Sequence, residues 1–451
     1  MVVPGIMGSA LARNGDPVWD VSPAAGWRGL VSALGSVAAL RLPSDIGDEH
    51  PGDGVVAVDV LGGVHVIPGV WSPVVGYRRL VRWLRQRFTL DPTEAGRTGN
   101  LVVFPYDWRL SNRYNATELE RVVVPALERW RGAGHPQARL VFICHSMGGL
   151  VVRYFLEVLG GAAMCRSLVT MGTPYRGSLP ALRYLVDGLR VRDRELARLT
   201  ALARSLPSLH QLVPTYACVA QPDGLQYVRD VPVEGPDKAL LADAEAFHRE
   251  IADGVRDRCD TSPYEIHPII GFAQPTPTVM LPDGDGYVWS NEIDGQDEGG
   301  DGRVPFLSAV PPELQGKGPR ERAHLQAHGA LPDDRGVREG IEFALTQIRR
   351  FHRGPSDPRA FGVRVPEMVS PGEPLTVTVT ADSDELALAV TITDAYATAA
   401  PPAVTMANRG QGRYTRAVGG LPPGLYEVAV APRGGGQPVT RHVMVWDGQD
   451  G

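Results

Sequence analysis

Short unbroken apolar runs alternate with stretches of helical spacing over roughly the first 350 residues. Leu140 to Ile143 is such a run, short enough for a strand buried on both faces. After Cys144 to Gly148 the apolar positions resume as Leu150-Val151-Val152 and continue through Tyr154, Phe155 and Leu156, which reads as a helix. Val2-Val3, Leu101 to Phe104, Ser167 to Met171 and Glu265 to Phe272 read as further core strands. Tyr77 to Phe88 places Leu80, Val81, Leu84 and Phe88 at helical spacing. Ala116 to Arg131 reads as a helix interrupted at Pro125, and Asp333 to His352 as the last amphipathic helix. Val55 to Val60 and Val64 to Ile67 read as a hairpin around Gly62-Gly63. Strands alternating with helices predict an α/β fold with a mainly parallel, doubly wound sheet, and a site at the strand ends.

The alternation stops between Tyr175 and about Pro263. Leu179 to Leu189, Arg194 to Leu206 and Lys238 to Ile251 read as helices joined by Pro-rich loops, which predicts a helical cap over about 175–263. Residues 353–360, rich in Gly and Pro, read as a linker closing a first domain of residues 1–352. Beyond it, over 361–451, about seven short runs separated by Gly/Pro turns predict an all-β immunoglobulin-like sandwich. That segment holds no cysteine and no candidate catalytic cluster, so it reads as a binding or packing module.

Composition narrows the function classes. The 451 residues are 43% hydrophobic and 21% charged, as in soluble globular chains. A net charge of -6 and the lack of a Lys/Arg block argue against a nucleic-acid partner. The cysteines at 144, 165, 218 and 259 fit no metal spacing. Asp283, Asp285 and Asp294 only loosely echo a calcium loop, because Tyr287 and Val288 fall where a ligand and a glycine are needed. No metal and no cofactor is expected. Few cysteines, no signal peptide and no membrane-length apolar run predict a cytoplasmic protein, peripheral at a membrane.

The chemistry centres on Cys144-His-Ser-Met-Gly148. A serine on a sharp strand-to-helix turn is the nucleophile elbow, which requires small residues two positions away on either side. Gly148 satisfies this, and Cys144 stands where a glycine is usual. The competing reading is a serine that caps the helix. A serine nucleophile needs a histidine base and an acid, following it in the order serine, acid, histidine. Asp301 in Gly300-Asp-Gly-Arg-Val-Pro305 is the best acid, with Asp294, Asp297 and Glu298 as neighbours on an acidic face. His328, followed by Gly329, is the best base, and His324 is the alternative. The Pro4-Gly-Ile-Met-Gly-Ser9 loop suits an oxyanion donor or an ordinary glycine turn.

These stretches resemble the lecithin:cholesterol acyltransferase family. The matching motifs run in family order: Val3 to Ser9, Phe104-Pro-Tyr-Asp-Trp-Arg109, His145-Ser-Met-Gly-Gly149, Gly172-Thr-Pro-Tyr-Arg-Gly-Ser178, Gly300 to Pro305, and His328-Gly-Ala-Leu331. The resemblance implies an α/β-hydrolase fold with cap and lid, and acyl-ester cleavage with transfer to water or an alcohol. It implies Ser146, Asp301 and His328 as the triad, and the N–H groups of Met147 and Ile6 as oxyanion donors. Two departures stand out: the family's usual Thr is Arg303 here, and no cysteine precedes Cys144 to form the lid disulfide of secreted relatives.

The expected function is a serine acyl-ester hydrolase or acyltransferase on lipid esters, lipase- or phospholipase-like. The alternatives are an esterase or thioesterase on a soluble acyl substrate, or an effector regulated by a protein partner through the C-terminal sandwich. Asp107 and Arg109 read as ties at a strand end. Trp71 reads as a lid tip touching lipid, or as an ordinary packed tryptophan.

Overall fold

The computed structural model describes residues 1–446 except 20–39, 63–64, 68–70, 75, 94–96, 192–193, 259–262, 285, 294, 298, 317–322, 348–359, 396 and 398–400. At its centre is a five-stranded, wholly parallel sheet. Its strands are β1 (Val2–Val3), β2 (Leu140–His145), β3 (Cys165–Met171), β4 (Glu265–Gly271) and β5 (Ala323–His324), in that spatial order. The register pairs Val2 with Ile143, Cys144 with Thr170, Leu168 with Ile266, and Ile270 with Ala323. Phe142, Leu168, Val169 and Ile270 are fully buried, as a sheet covered on both faces requires.

Five helices serve the argument below: α1 (Tyr77–Arg87), α2 (Asn112–Gly132), α3 (Gly148–Glu157), α4 (Leu179–Val186) and α5 (Arg335–Thr346). The Ser111 hydroxyl caps α2 by accepting from the Tyr114 N–H at 3.0 Å. Pro125 does not interrupt α2. An interior proline costs about 3 kcal/mol, and burial of Leu119, Val123, Ala126 and Leu127 against the core outweighs it.

Two predicted elements differ. Leu101 to Phe104 is not a regular strand: it makes only isolated parallel bridges, Val103 with Val2 of the two-residue β1 and Leu101 with Pro92. The Val55–Val60 strand does not pair with residues 65–67. It pairs with Ser9–Arg13, while His65–Ile67 pairs with Trp71–Val74. Leu61 donates to Gly8 O at 2.9 Å and accepts from the Tyr77 N–H at 3.0 Å.

The segment 175–263, expected to be a helical cap, is only partly helical. Beside α4, Ala197–Arg204 and Lys238–Asp257 it contains the pair Val219–Gln221 and Gly224–Gln226. That pair joins Val279–Asp283 and Gly286–Ser290 in one four-stranded sheet, so the segment pairs with chain beyond residue 263.

Past residue 360 the chain forms a four-stranded and a five-stranded sheet around a shared core that includes Val363, Val377, Val390, Tyr414 and Val428. The strand Val439–Val445 has two different faces. Val443 and Val445 lie in this core, whereas Met444 and Trp446 join the core of the first unit.

Candidate active site

Ser146 stands between β2 and α3 with φ 52°, a conformation L-residues rarely adopt. The turn is held from both sides. The Ser146 N–H donates to Met171 O at 2.9 Å, and the Thr173 hydroxyl donates to Ser146 O at 2.9 Å. A Cβ at Gly148 would lie 2.2 Å from Pro4 O, so that position takes no larger residue. Cys144 is buried on the strand side, and it, Cys165 and Cys218 are free thiols. Cys259 lies outside the described residues, as do Asp294 and Glu298.

The structure brings Ser146, His328 and Asp301 into one hydrogen-bonded chain. His328 Nε2 is 2.9 Å from Ser146 Oγ, and His328 Nδ1 is 2.7 Å from Asp301 Oδ2. Asp301 Oδ1 accepts from the N–H groups of Arg303 at 2.9 Å and Val304 at 2.7 Å. This fixes the carboxylate and leaves Oδ2 for the histidine. The His328 N–H donates to Asp301 O at 2.9 Å, tying the two turns together. Asp297 sits in an exposed two-residue strand. His324 ends β5 against α5: a Cβ at Gly336 would lie 2.9 Å from its Nδ1.

The Pro4–Met7 loop passes directly beside the serine. A Cβ at Gly5 would fall 2.8 Å from Ser146 Cβ. Among the described residues no carbonyl accepts from the N–H of Ile6 or Met147.

A second histidine shapes the site, and no spacing in the sequence marked it. The Gly5 N–H donates to the Tyr77 hydroxyl at 2.9 Å, and that hydroxyl is 2.7 Å from His145 Nδ1. His145 Nε2 lies 3.0 Å from His328 O. A carbonyl only accepts, so Nε2 carries the proton, and Nδ1 accepts from Tyr77. One chain of bonds therefore runs from the Gly5 loop through α1 to the backbone of His328. Burial first, and then the charge of His328, push His145 well below the usual histidine value.

Phe104 to Arg109 braces the same loop. The Tyr106 hydroxyl donates to Pro4 O at 3.0 Å, and the Trp108 indole N–H donates to Ser9 O at 3.3 Å. Arg109 is fully buried and pairs with Asp107 and Asp53, each at 2.7 Å. Arg303 bonds the Tyr184 hydroxyl of α4 and the Glu367 carboxylate beyond residue 360. The Trp71–Val74 strand packs against the His328–Asp333 turn, while the Trp71 side chain lies outside what the structure describes.

A cleft of about 560 Å³ borders the Asp301 turn at Gly302 and Arg303 and the His328 turn at Gly329; its other walls include Tyr184, Trp289 and Glu367. Ser146 is not on its wall. Among the described residues no cluster of three or more His, Cys, Asp or Glu side chains is arranged to hold a metal ion. No helix of the described residues is long and apolar enough to cross a membrane.

Residues 93–294 match the lecithin:cholesterol acyltransferase family. The resemblance carried by the motifs holds over that span. The matched span includes Ser146 and ends before Asp301 and His328. No curated protein matches the chain. Among solved structures, the Bacillus licheniformis lipase BlEst2 is 11% identical, covering 76% of this chain and 85% of its own, with a TM-score of 0.30. Phospholipase PlaB from Legionella pneumophila, in complex with thio-NAD, is 12% identical over 86% and 89%, with a TM-score of 0.28. Both are too distant to carry a functional argument.

Proposed function

We propose that the protein is a serine acyl-ester hydrolase or acyltransferase of the α/β-hydrolase type acting on lipid esters, with Ser146 as nucleophile, His328 as base and Asp301 as its orienting acid. The single observation behind this reading is the Ser146–His328–Asp301 hydrogen-bond chain, at 2.9 and 2.7 Å, built on a serine with positive φ. The family match over residues 93–294 supports acyl-ester chemistry on independent grounds.

In this mechanism the His328 Nδ1–H donates to Asp301, which leaves Nε2 free to take the Ser146 proton as Oγ attacks the ester carbonyl. The N–H groups of Ile6 and Met147 stabilise the oxyanion. Collapse expels the alcohol, which receives the proton from His328 Nε2. Water or a second alcohol then gives its proton to Nε2 and attacks the acyl-enzyme, releasing the acyl group and regenerating Ser146. Residues 1–352 form the catalytic unit in this reading, and 361–451 an immunoglobulin-like sandwich.

The test uses a fluorophosphonate label and turnover on a short ester and on phospholipid vesicles. Ser146→Ala is expected to abolish labelling and to lower turnover by roughly 10⁴ or more. His328→Ala is expected to lose a similar amount and His324→Ala little. Full turnover by Ser146→Ala would reject the mechanism, and a dead His324→Ala beside an active His328→Ala would reassign the base.

A further inference from the structure

The loops that carry the acid and the base are each gripped by chain from beyond residue 360, through one buried glutamine apiece. Gln274 is fully buried beside the acid turn: it pairs with Asp301 in a parallel bridge, and its N–H donates to Gly300 O at 3.0 Å. Its side-chain oxygen accepts from the Val363 N–H at 3.2 Å and from Arg441 at 3.3 Å, and its amide donates to Phe361 O at 3.4 Å. Gln326, two residues before His328, repeats the arrangement. Its oxygen accepts from the Thr440 N–H at 3.0 Å, and its amide donates to Pro438 O at 3.1 Å.

Between the two lies Arg441. Its Nε donates to Val363 O at 3.1 Å, and its guanidinium rests on Gly302, where an added Cβ would meet Nη1 at 2.4 Å. No carboxylate among the described residues pairs with Arg441 within ion-pair distance. Its side chain is held by neutral oxygens and by packing on the residue next to Asp301. Burial, reinforced by the charge of Arg303, pushes its guanidinium down to about 10, as expected for a desolvated cation. The Arg303–Glu367 pair adds a third link from the acid turn to the same unit.

A module that merely followed the enzyme on a linker would touch surface side chains. Here both amide groups of two buried glutamines are satisfied across the seam, and they lie at the two turns whose separation sets the Asp301–His328 bond. We propose that the C-terminal β unit is a working part of the active site, with Arg441, Gln274 and Gln326 as positioning residues that hold the acid and base turns in catalytic register. This rests on the triad reading above. It assigns the unit a role in turnover that folding of the catalytic core alone does not require.

The experiment is Arg441→Met in the full chain, which keeps side-chain bulk on Gly302 and removes the hydrogen bonds to Val363 and Gln274. Asp301 and His328 act on the transition state, so misalignment falls on kcat rather than KM. A displacement of about 1 Å costs up to about a hundredfold. We expect kcat on a short soluble ester to fall about tenfold or more, with KM within about twofold and a cooperative unfolding transition retained. Wild-type kcat in the folded variant, or a loss confined to KM, would overturn the proposal. If Arg441→Met does not fold, Glu367→Gln, on a partly exposed side chain, decides by the same split between kcat and KM. Ser146→Ala run alongside separates the two ideas: a dead Ser146→Ala beside an unimpaired Arg441→Met rejects the positioning role and leaves the triad standing.

Discussion

His145 is the residue whose chemistry the sequence hid and the geometry displays. It sits in a stretch that reads as a nucleophile motif, where only the serine attracts attention. Its ring instead links the Tyr77 hydroxyl to the carbonyl of His328. Tyr77→Phe would leave His145 Nδ1 and the Gly5 N–H without their buried partner, which costs about 1–3 kcal/mol. The expected result is a lower denaturant midpoint together with reduced turnover; unchanged stability would mean the hydroxyl holds nothing. The same burial sets a pH dependence. His145 and His210 are both depressed below the ordinary histidine value by desolvation. His210 is committed to its neutral form, donating from Nδ1 to Leu206 O at 2.8 Å and accepting the Asp237 N–H at Nε2 at 3.1 Å. The unfolded chain protonates these rings near about pH 6.5, whereas the folded chain resists. Their contribution to stability is therefore fully present above that pH and declines as pH falls below it. Unfolding temperatures should drop between about pH 6.5 and 5, with a shallower slope in His210→Gln. A flat profile in the wild type would contradict the assignment.

The elements show why the triad is so compact. Gly172 ends β3 with φ 58°, and a Cβ there would sit 2.8 Å from Asp301 Oδ2 and 2.9 Å from His328 Nδ1. Gly172→Ala combines left-handed strain of about 1–2 kcal/mol with a collision against the acid–base bond. Turnover should fall more steeply than stability, read as kcat against unfolding midpoint. A variant with normal kcat would show that the two turns have room to move. Four of the five sheet strands, the elbow and the final helix were legible because buried strands and amphipathic helices leave clear periodicities, whereas Ala323–His324, two residues long, carries no such signal. The 55–67 hairpin was not, because strand pairing is set by contacts distant in sequence: Val55–Val60 belongs to Ser9–Arg13. Pro125 misled for the converse reason, since packing of α2 overrides a local breaker. Asp301 and His328, singled out from glycine-flanked turns and chain order, are brought together by the structure in one hydrogen bond. The bridging roles of Gln274, Gln326 and Arg441 leave no local mark, because each depends on a partner from another segment.

At the scale of the whole molecule, Ser146, Asp301 and His328 lie beside structure contributed from three directions. Ser146 is only 6% exposed and His328 5%, so under the proposed function a bulky ester would be helped by movement of the structure around them. The 175–263 segment contributes α4, whose Tyr184 bonds Arg303 beside Asp301. The Trp71–Val74 strand packs on the His328–Asp333 turn and also against the Val439–Val445 strand. The Trp71–Val74 strand thus lies beside both the His328–Asp333 turn and the C-terminal unit, and we propose that it acts as a lid. Contact with a lipid surface would favour the displaced state through any apolar side chain it exposes, and Trp71 is the bulkiest candidate on that strand. Turnover of long-chain esters should therefore rise when vesicles or detergent-mixed lipid are present, with short soluble esters largely indifferent. Trp71→Ala should lower the vesicle rate more than the short-ester rate. The measurement is the pair of rates for wild type and variant. Equal losses on both substrates would make Trp71 a packing residue, and an absence of vesicle activity in the wild type would favour a soluble acyl substrate over a lipid one.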